Sequence, residues 1–206
     1  MAWYYSGVFL TCFWFKHRTQ PVTVSIGFPL LFVVLLRLGG RPKQYMVKLK
    51  EITLIHAPVE RCFDLARSVE VHLEGNIHWS EQALATGGIT SGLLGLDQRV
   101  RWRARHFGLW HALTSEITEM QPPAYFQDKM IDGPFRSLIH NHKFQTLPNG
   151  VTSMKDTLIF AAPVPLLGRV AEITFLKRYM QTLLRERNAA IKRIAESNDW
   201  LRFLPS

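Results

Sequence analysis

Gln98-Arg99-Val100-Arg101-Trp102-Arg103-Ala104-Arg105-His106-Phe107 alternates between arginine and a mixed apolar set. Successive side chains of a strand leave opposite faces of the sheet, so Arg99, Arg101, Arg103 and Arg105 share one face and Val100, Trp102, Ala104 and His106 the other. Four neighbouring guanidiniums are not buried without partners, which assigns their face to water or anions and the opposite face to the interior. That interior mixes Trp and His with small apolar residues. It reads as the wall of a cavity.

The same mixture returns downstream. In Leu138-Ile139-His140-Asn141-His142-Lys143-Phe144-Gln145, His140, His142 and Phe144 share a face, and Asn141, Lys143 and Gln145 share the other. Phe126-Gln127-Asp128-Lys129-Met130 and Met154-Lys155-Asp156-Thr157-Leu158-Ile159-Phe160 each place an Asp in phase with an aromatic or Met. If the apolar residues choose the inward face, then Asp128, Asp156, His106, His140 and His142 go inward with them, and ionisable groups are costly to bury unless paired or wetted. The expected ligand-binding residues are therefore Trp102, His106, Asp128, Met130, His140, His142, Phe144 and Asp156. Trp79, Trp110, Phe126, Phe135, Met154 and Phe160 widen the apolar lining, and at least half of these aromatic and Met residues read as ordinary core.

The chain has 206 residues with a net charge of +9, enough for one domain with a substantial core. Lys16, Arg18, Arg37, Arg41 and Lys43 lie in residues 1–45, which contain no Asp or Glu, so +5 belongs there and only +4 to residues 46–206. Cys12 and Cys62 are the two cysteines, too few for a disulfide framework or a zinc site, and the domain is compatible with a reducing cytosol. No nucleic-acid-binding motif is present, and the arginine row reads as a solvated face. There is no G-x-S-x-G and no phosphate-binding G-x-x-x-x-G-K-S/T.

Residues 1–45 form a hydrophobic, basic leader: two apolar runs, Met1 to Phe15 and Pro21 to Leu36, flank Lys16-His17-Arg18. The second run falls short of the roughly 20 residues that span a bilayer and contains Pro29. Three readings stay open: a short membrane anchor, an upstream extension with initiation at Met46, and a structured part of the domain. From Met46 the pattern is orderly. A strand at Lys48–Ile55 precedes a helix opened by Ala57-Pro58, a second short helical stretch covers Val69–Ile77, and strands follow near 80–87, 98–107, 111–120, 124–132, 136–146 and 151–161. A long helix is expected from about Leu167 to Ser197, with Ile173, Leu176, Met180, Leu183, Ile191 and Ile194 as its apolar stripe; residues 198–206 form a tail.

This order resembles that of the START-like, helix-grip superfamily, also called SRPBCC. Ile55-His56-Ala57-Pro58-Val59-Glu60-Arg61-Cys62-Phe63 looks like the superfamily's opening strand and helix. The arginine-rich strand, Gly133-Pro134-Phe135 and His140-Asn141-His142-Lys143-Phe144 resemble its bacterial ligand-binding branch. The resemblance covers about residues 46–197. It implies an α+β fold in which a curved antiparallel sheet of about seven strands wraps a long C-terminal helix, with two short helices after the first strand and a deep pocket for an apolar or amphipathic ligand. The superfamily includes lipid carriers, polyketide cyclases, hormone receptors and oxygenase subunits, so fold alone does not choose a function.

The leading expectation is a carrier, sensor or sequestering protein for a small apolar or amphipathic molecule, without cofactor and without nucleic acid. One alternative is a cyclase or dehydratase working through a cavity His/Asp pair; another is an interaction module with a purely structural core. His140-x-His142 with His106 and Asp128 or Asp156 has the donor types of a metal site, but a polar network around a half-wet pocket is the preferred reading, and no metal is expected. The domain is expected in the cytoplasm, with membrane association only through residues 1–45. The sequence gives no oligomeric state.

Overall fold

The computed structural model describes residues 46–161 and 175–204. Strand β1 (Val47–Ile55) leads into helices α1 (Val59–Ala66) and α2 (Val69–Gly75) and a 3-10 turn at Ile77–Trp79. Strands β2 (Gln82–Leu84), β3 (Arg99–His106), β4 (Leu109–Gln121), β5 (Tyr125–Asp132), β6 (Ser137–Thr146) and β7 (Thr152–Ala161) follow, and helix α3 (Lys177–Glu196) comes after them. All pairings are antiparallel, and the seven strands are ordered β1-β7-β6-β5-β4-β3-β2. Strands β2 to β7 form a meander, and β1 returns to the edge of β7. The expected sheet of seven strands, paired short helices and long final helix is the observed architecture.

Local chemistry explains the element boundaries. Pro58 stands before the first turn of α1, where its fixed φ is compatible with helix entry, and the helix buries Cys62, Phe63, Leu65 and Ala66 on one face. Ser68 caps α2 by accepting a hydrogen bond from the Val71 amide at 3.3 Å. The strand expected near 80–87 is only three residues long. Strand β4 begins at Leu109 rather than near 111 because β3 and β4 are joined by the two-residue turn Phe107-Gly108, with φ of 53° and 78°. Positive φ at both positions matches the twist of a hairpin, and a phenylalanine rather than Asn or Asp occupies the first of them.

The arginine strand divides as expected, with Val100, Trp102 and Ala104 buried and His106 half-buried. Each outward guanidinium finds a local partner: Arg99 pairs with Glu116, Arg101 approaches Asp132 at 3.8 Å, Arg103 lies over the Trp110 ring at 4.5 Å, and Arg105 donates to the Gly108 carbonyl at 3.2 Å.

Two apolar clusters pack beneath α3. The larger contains Phe63, Phe126, Phe144, Met154, Ile191 and Ile194; the smaller contains Leu49, Leu138, Leu158, Phe160 and Leu184. Phe63 meets the rings of Phe126 and Phe144 edge-on at centroid distances of 5.5 Å in both cases. The buried face of α3 is Leu184, Arg187, Asn188, Ile191, Ile194 and Ala195, so two polar residues sit within the stripe. Ile173, the start of the helix near Leu167, both apolar runs of residues 1–45 and Cys12 lie outside the described residues. Among the described residues no helix is long and apolar enough to cross a membrane.

The aromatic trio predicts a sharp asymmetry between faces. Phe63→Ala should lower unfolding free energy by about 3 to 5 kcal/mol, whereas Ile52→Thr, on the exposed face of β1, should change it by less than about 0.5 kcal/mol. Urea unfolding followed by tryptophan fluorescence measures both, and equal midpoints would show that the trio is not the centre of the core.

Candidate functional site

A cavity of about 340 Å³ lies between the inner face of the sheet and helices α2 and α3. Most of its wall is apolar or aromatic, supplied by both core clusters: Trp102 from β3, Ile117 from β4, Phe126 from β5, Leu138 from β6, Leu158 from β7 and Leu184 from α3. Two groups of polar residues interrupt that wall.

The first group is built on β5, β6, β7 and α3. Register places Asp128 opposite His140 and His142 opposite Asp156, and the inward pleat turns all four the same way. Asp156 is fully buried. Its Oδ2 accepts a hydrogen bond from Asn188 Nδ2 at 2.8 Å, and its Oδ1 accepts one from His140 Nε2 at 3.0 Å. The guanidinium of Arg187 donates from Nη1 to His140 Nδ1 at 3.4 Å and from Nη2 to the Ala66 carbonyl at 2.9 Å. Arginine can only donate and a carboxylate can only accept, so both contacts require the same neutral tautomer of His140, with the proton on Nε2.

Burial, with the His142 ring alongside, pushes His140 down to about 4 against the pull of Asp156 and Asp128. Burial alone would raise the two carboxylates. The His142 and His140 rings and the Arg187 charge instead hold Asp128 at about 2, and the His140 and His142 contacts hold Asp156 well below the usual range. His142 is closely surrounded but poorly aligned. Its Nδ1 lies 2.8 Å from Asp156 Oδ1 and its Nε2 3.5 Å from Asp128 Oδ2, yet neither oxygen lies along the N–H direction, and both ring nitrogens lack a hydrogen bond.

Asp128, His140 and His142 offer atoms within 4.8 Å of one another, the donor set of a two-histidine, one-carboxylate metal site. Both nitrogens of His140 are already engaged, one by a carboxylate and one by a guanidinium proton. A cation there would lose that lone pair and sit beside Arg187, so these residues fit a polar network better than a metal.

The second group gathers from α2, the chain before β2, the β3–β4 hairpin and the start of α3. Glu81 Oε2 accepts from Asn76 Nδ2 and lies 3.2 Å from His72 Nε2, while the His72 ring stacks on Trp102 at 4.0 Å. Burial would raise Glu81, but His72 and Asn76 hold it below its ordinary value. His106 Nδ1 is 2.6 Å from the Tyr179 hydroxyl, and burial lowers the His106 pKa. Burial and the charge of Glu186 raise Tyr179 to about 12.

Of the residues expected at the site, Trp102, His106, Asp128 and His140 line the cavity. His142 and Asp156 stand behind that wall as partners of His140. Phe144 packs on Phe63 and Phe126, and Met130 packs beside the smaller cluster, where its Sδ would sit 2.8 Å from a Cβ at Gly133. These four share the inward face but not the lumen, because the helices cover part of the sheet directly. Sequence reasoning missed Glu81, His72, Tyr179 and Arg187. Only Arg187 carried a signal, as a charge in phase with the apolar stripe of α3.

The network predicts acid sensitivity with a defined sign. His140 binds its proton more weakly folded than unfolded, so the unfolded state takes up that proton first and stability falls from about pH 6.5 towards 4. Asp128 extends the loss, because its folded pKa of about 2 lies below its unfolded value and stability declines further between about 3.8 and 2. His140→Gln should flatten the upper part of this slope in urea unfolding measured across pH. An unchanged slope would remove His140 from the account.

No protein-family model and no curated protein sequence matches the chain. Solved structures do. An aromatase/cyclase from a Streptomyces species is 14% identical with a TM-score of 0.57, covering 75% of this chain and 98% of that one. A protein from Thermus thermophilus is 19% identical with a TM-score of 0.56, covering 70% and 97%. A START superfamily protein from Mycobacterium smegmatis is 11% identical with a TM-score of 0.55, covering 72% and 97%. At such identities the likeness is one of fold, and the chain has the START-like (SRPBCC) helix-grip fold.

Proposed function

We propose that the domain binds a small amphipathic molecule non-covalently in the cavity between sheet and α3, as a carrier, sensor or sequestering protein. The observation that carries this reading is the cavity itself: an apolar lumen of about 340 Å³ with a few convergent polar groups is the usual form of a small-molecule site. A domain whose core were only structural would fill that volume, since protein interiors pack to crystal-like density.

A cyclase or dehydratase is the second reading, favoured by Asp128 and His140 opening on the same lumen. His140 is already donating and accepting, so the group left to take a proton is Asp128, a weak base at a pKa of about 2, which makes this the second reading. Conversion of a bound substrate that stops in Asp128→Asn supports this second reading; recovery of the bound molecule chemically unchanged supports the first.

The binding reading is tested with an uncharged probe, decan-1-ol, by titration calorimetry. Ala104 lines the cavity and Arg103 beside it points outward, so Ala104→Trp should abolish binding and Arg103→Ala should leave it within about twofold, adjacent strand residues facing oppositely. Equal effects of the two substitutions, or no binding by the unaltered protein, would overturn the proposal. Native mass spectrometry of the protein from its own host adds the identity of any co-purified molecule.

A further inference from the structure

Among the described residues four permanently charged or carboxylate side chains line the cavity, and their hydrogen bonds are unevenly spent. The two cations, Arg67 and Arg187, are taken up by the protein. Arg67 lies 2.7 Å from Asp64 through Nη2 and donates to the Leu94 carbonyl at 3.0 Å through Nη1. Arg187 donates to the Ala66 carbonyl and to His140; its Nε has no partner but is sealed from the lumen. The two anions are Glu81 and Asp128. Both contacts of Glu81, from Asn76 and His72, end on Oε2, and among the described residues Oε1 has no partner. Among the described residues Asp128 has only the longer contacts with His140 at 3.9 Å and His142 at 3.5 Å, both on Oδ2. Arg67 is thus paired with a carboxylate and Arg187 spends two of its N–H groups within the protein, whereas each anion has an oxygen without a partner among the described residues.

Glu81 also has an aromatic setting. Trp79 and Tyr179 meet at 80° with ring centroids 5.3 Å apart, Tyr179 and His106 meet at 85°, and the Trp102 ring lies under His72, the neighbour of Glu81. All of these rings line the cavity. Trp79 donates its indole N–H to Glu186 at 3.2 Å, and Glu81 is linked to the corner through His106, whose ring lies 5.6 Å from Trp79 and 5.8 Å from Tyr179 and whose charge acts on Glu81. Ring faces carry negative potential, and walls that meet near a right angle form a corner suited to a substituted ammonium group.

We propose that the cavity selects amphipathic molecules bearing a protonated amine over carboxylates of the same length, with the ammonium seated against Glu81 among Trp79, Trp102 and Tyr179. The inference rests on the reading that the cavity binds an amphipathic molecule. An ammonium donates charge-assisted hydrogen bonds to the open carboxylate oxygen and lies against the ring faces. A carboxylate guest seated against Glu81 would set a second anion beside the first, so its head group would lose its water and meet like charge.

The test is calorimetric titration of the full chain at pH 7 with decylammonium, decan-1-ol and decanoate, which share one tail and differ in head group. Decylammonium should bind about tenfold more tightly than decan-1-ol, with decanoate the weakest. Glu81→Gln keeps the shape and the Asn76 contact; it should bring decylammonium to within about twofold of decan-1-ol, and a cooperative urea unfolding transition shows that the variant is folded. Decanoate binding as tightly as decylammonium would overturn the proposal and leave the cavity reading standing. A preference for decylammonium that survives Glu81→Gln overturns the assigned seat. Failure of all three probes overturns the cavity reading and this inference with it.

Discussion

The buried carboxylate of Asp156 is the constraint around which the domain is arranged. An ionised group without solvent needs donors, and here they come from two directions, His140 on β6 and Asn188 on α3. Asn188 Nδ2 also lies 3.3 Å from Thr53 Oγ1 on β1, so a single amide ties the helix to both edge-side strands. Apolar packing tolerates small slips between a helix and a sheet, because the hydrophobic effect has no direction. Hydrogen bonds to a buried charge tolerate none, and they fix the register between α3 and the sheet.

This polar seam lies between the two apolar clusters and gives the cavity its form. Arg187 and His140 border the lumen with their apolar neighbours on either side, so the helix is held near the sheet without the interior closing. Close helix contact brings α2 to the wall as well. Gly75 ends α2 against α3, and a Cβ there would stand 3.1 Å from Arg187 Cα, tighter than ordinary contact. The missing side chain lets α2 bring His72 and Asn76 to the cavity wall.

Much of the fold was legible because it depends on periodicity. The alternation from Arg99 to His106 separated inside from outside correctly, and the spacing of turns gave the meander. The start of β4 was misplaced because Phe107 adopts a positive φ, a conformation that its residue type does not announce. The site was less legible for a different reason. His140 and His142 share a face and lie two residues apart, yet only His140 reaches the lumen; what covers a given stretch of sheet is decided by helices far away in sequence. Glu81, His72 and Tyr179 come from three separate segments, none with a pattern that links them. Arg187 and Asn188 interrupt the α3 stripe, and in-phase polar residues of this sort are better read as buried groups awaiting partners than as surface residues.

Arg187 spans from the last turn of α1 to a histidine on β6, and so ties two separate pieces of chain to α3. Its positive charge also suits the carbonyl end of α1, where the helix dipole is negative. The calibre of the lumen is therefore gauged by the reach of one arginine as much as by the bulk of the side chains around it. The leucines and phenylalanines of this wall can be exchanged one at a time without moving the helix. The width of the lumen changes only when the arginine and the helix it braces change together.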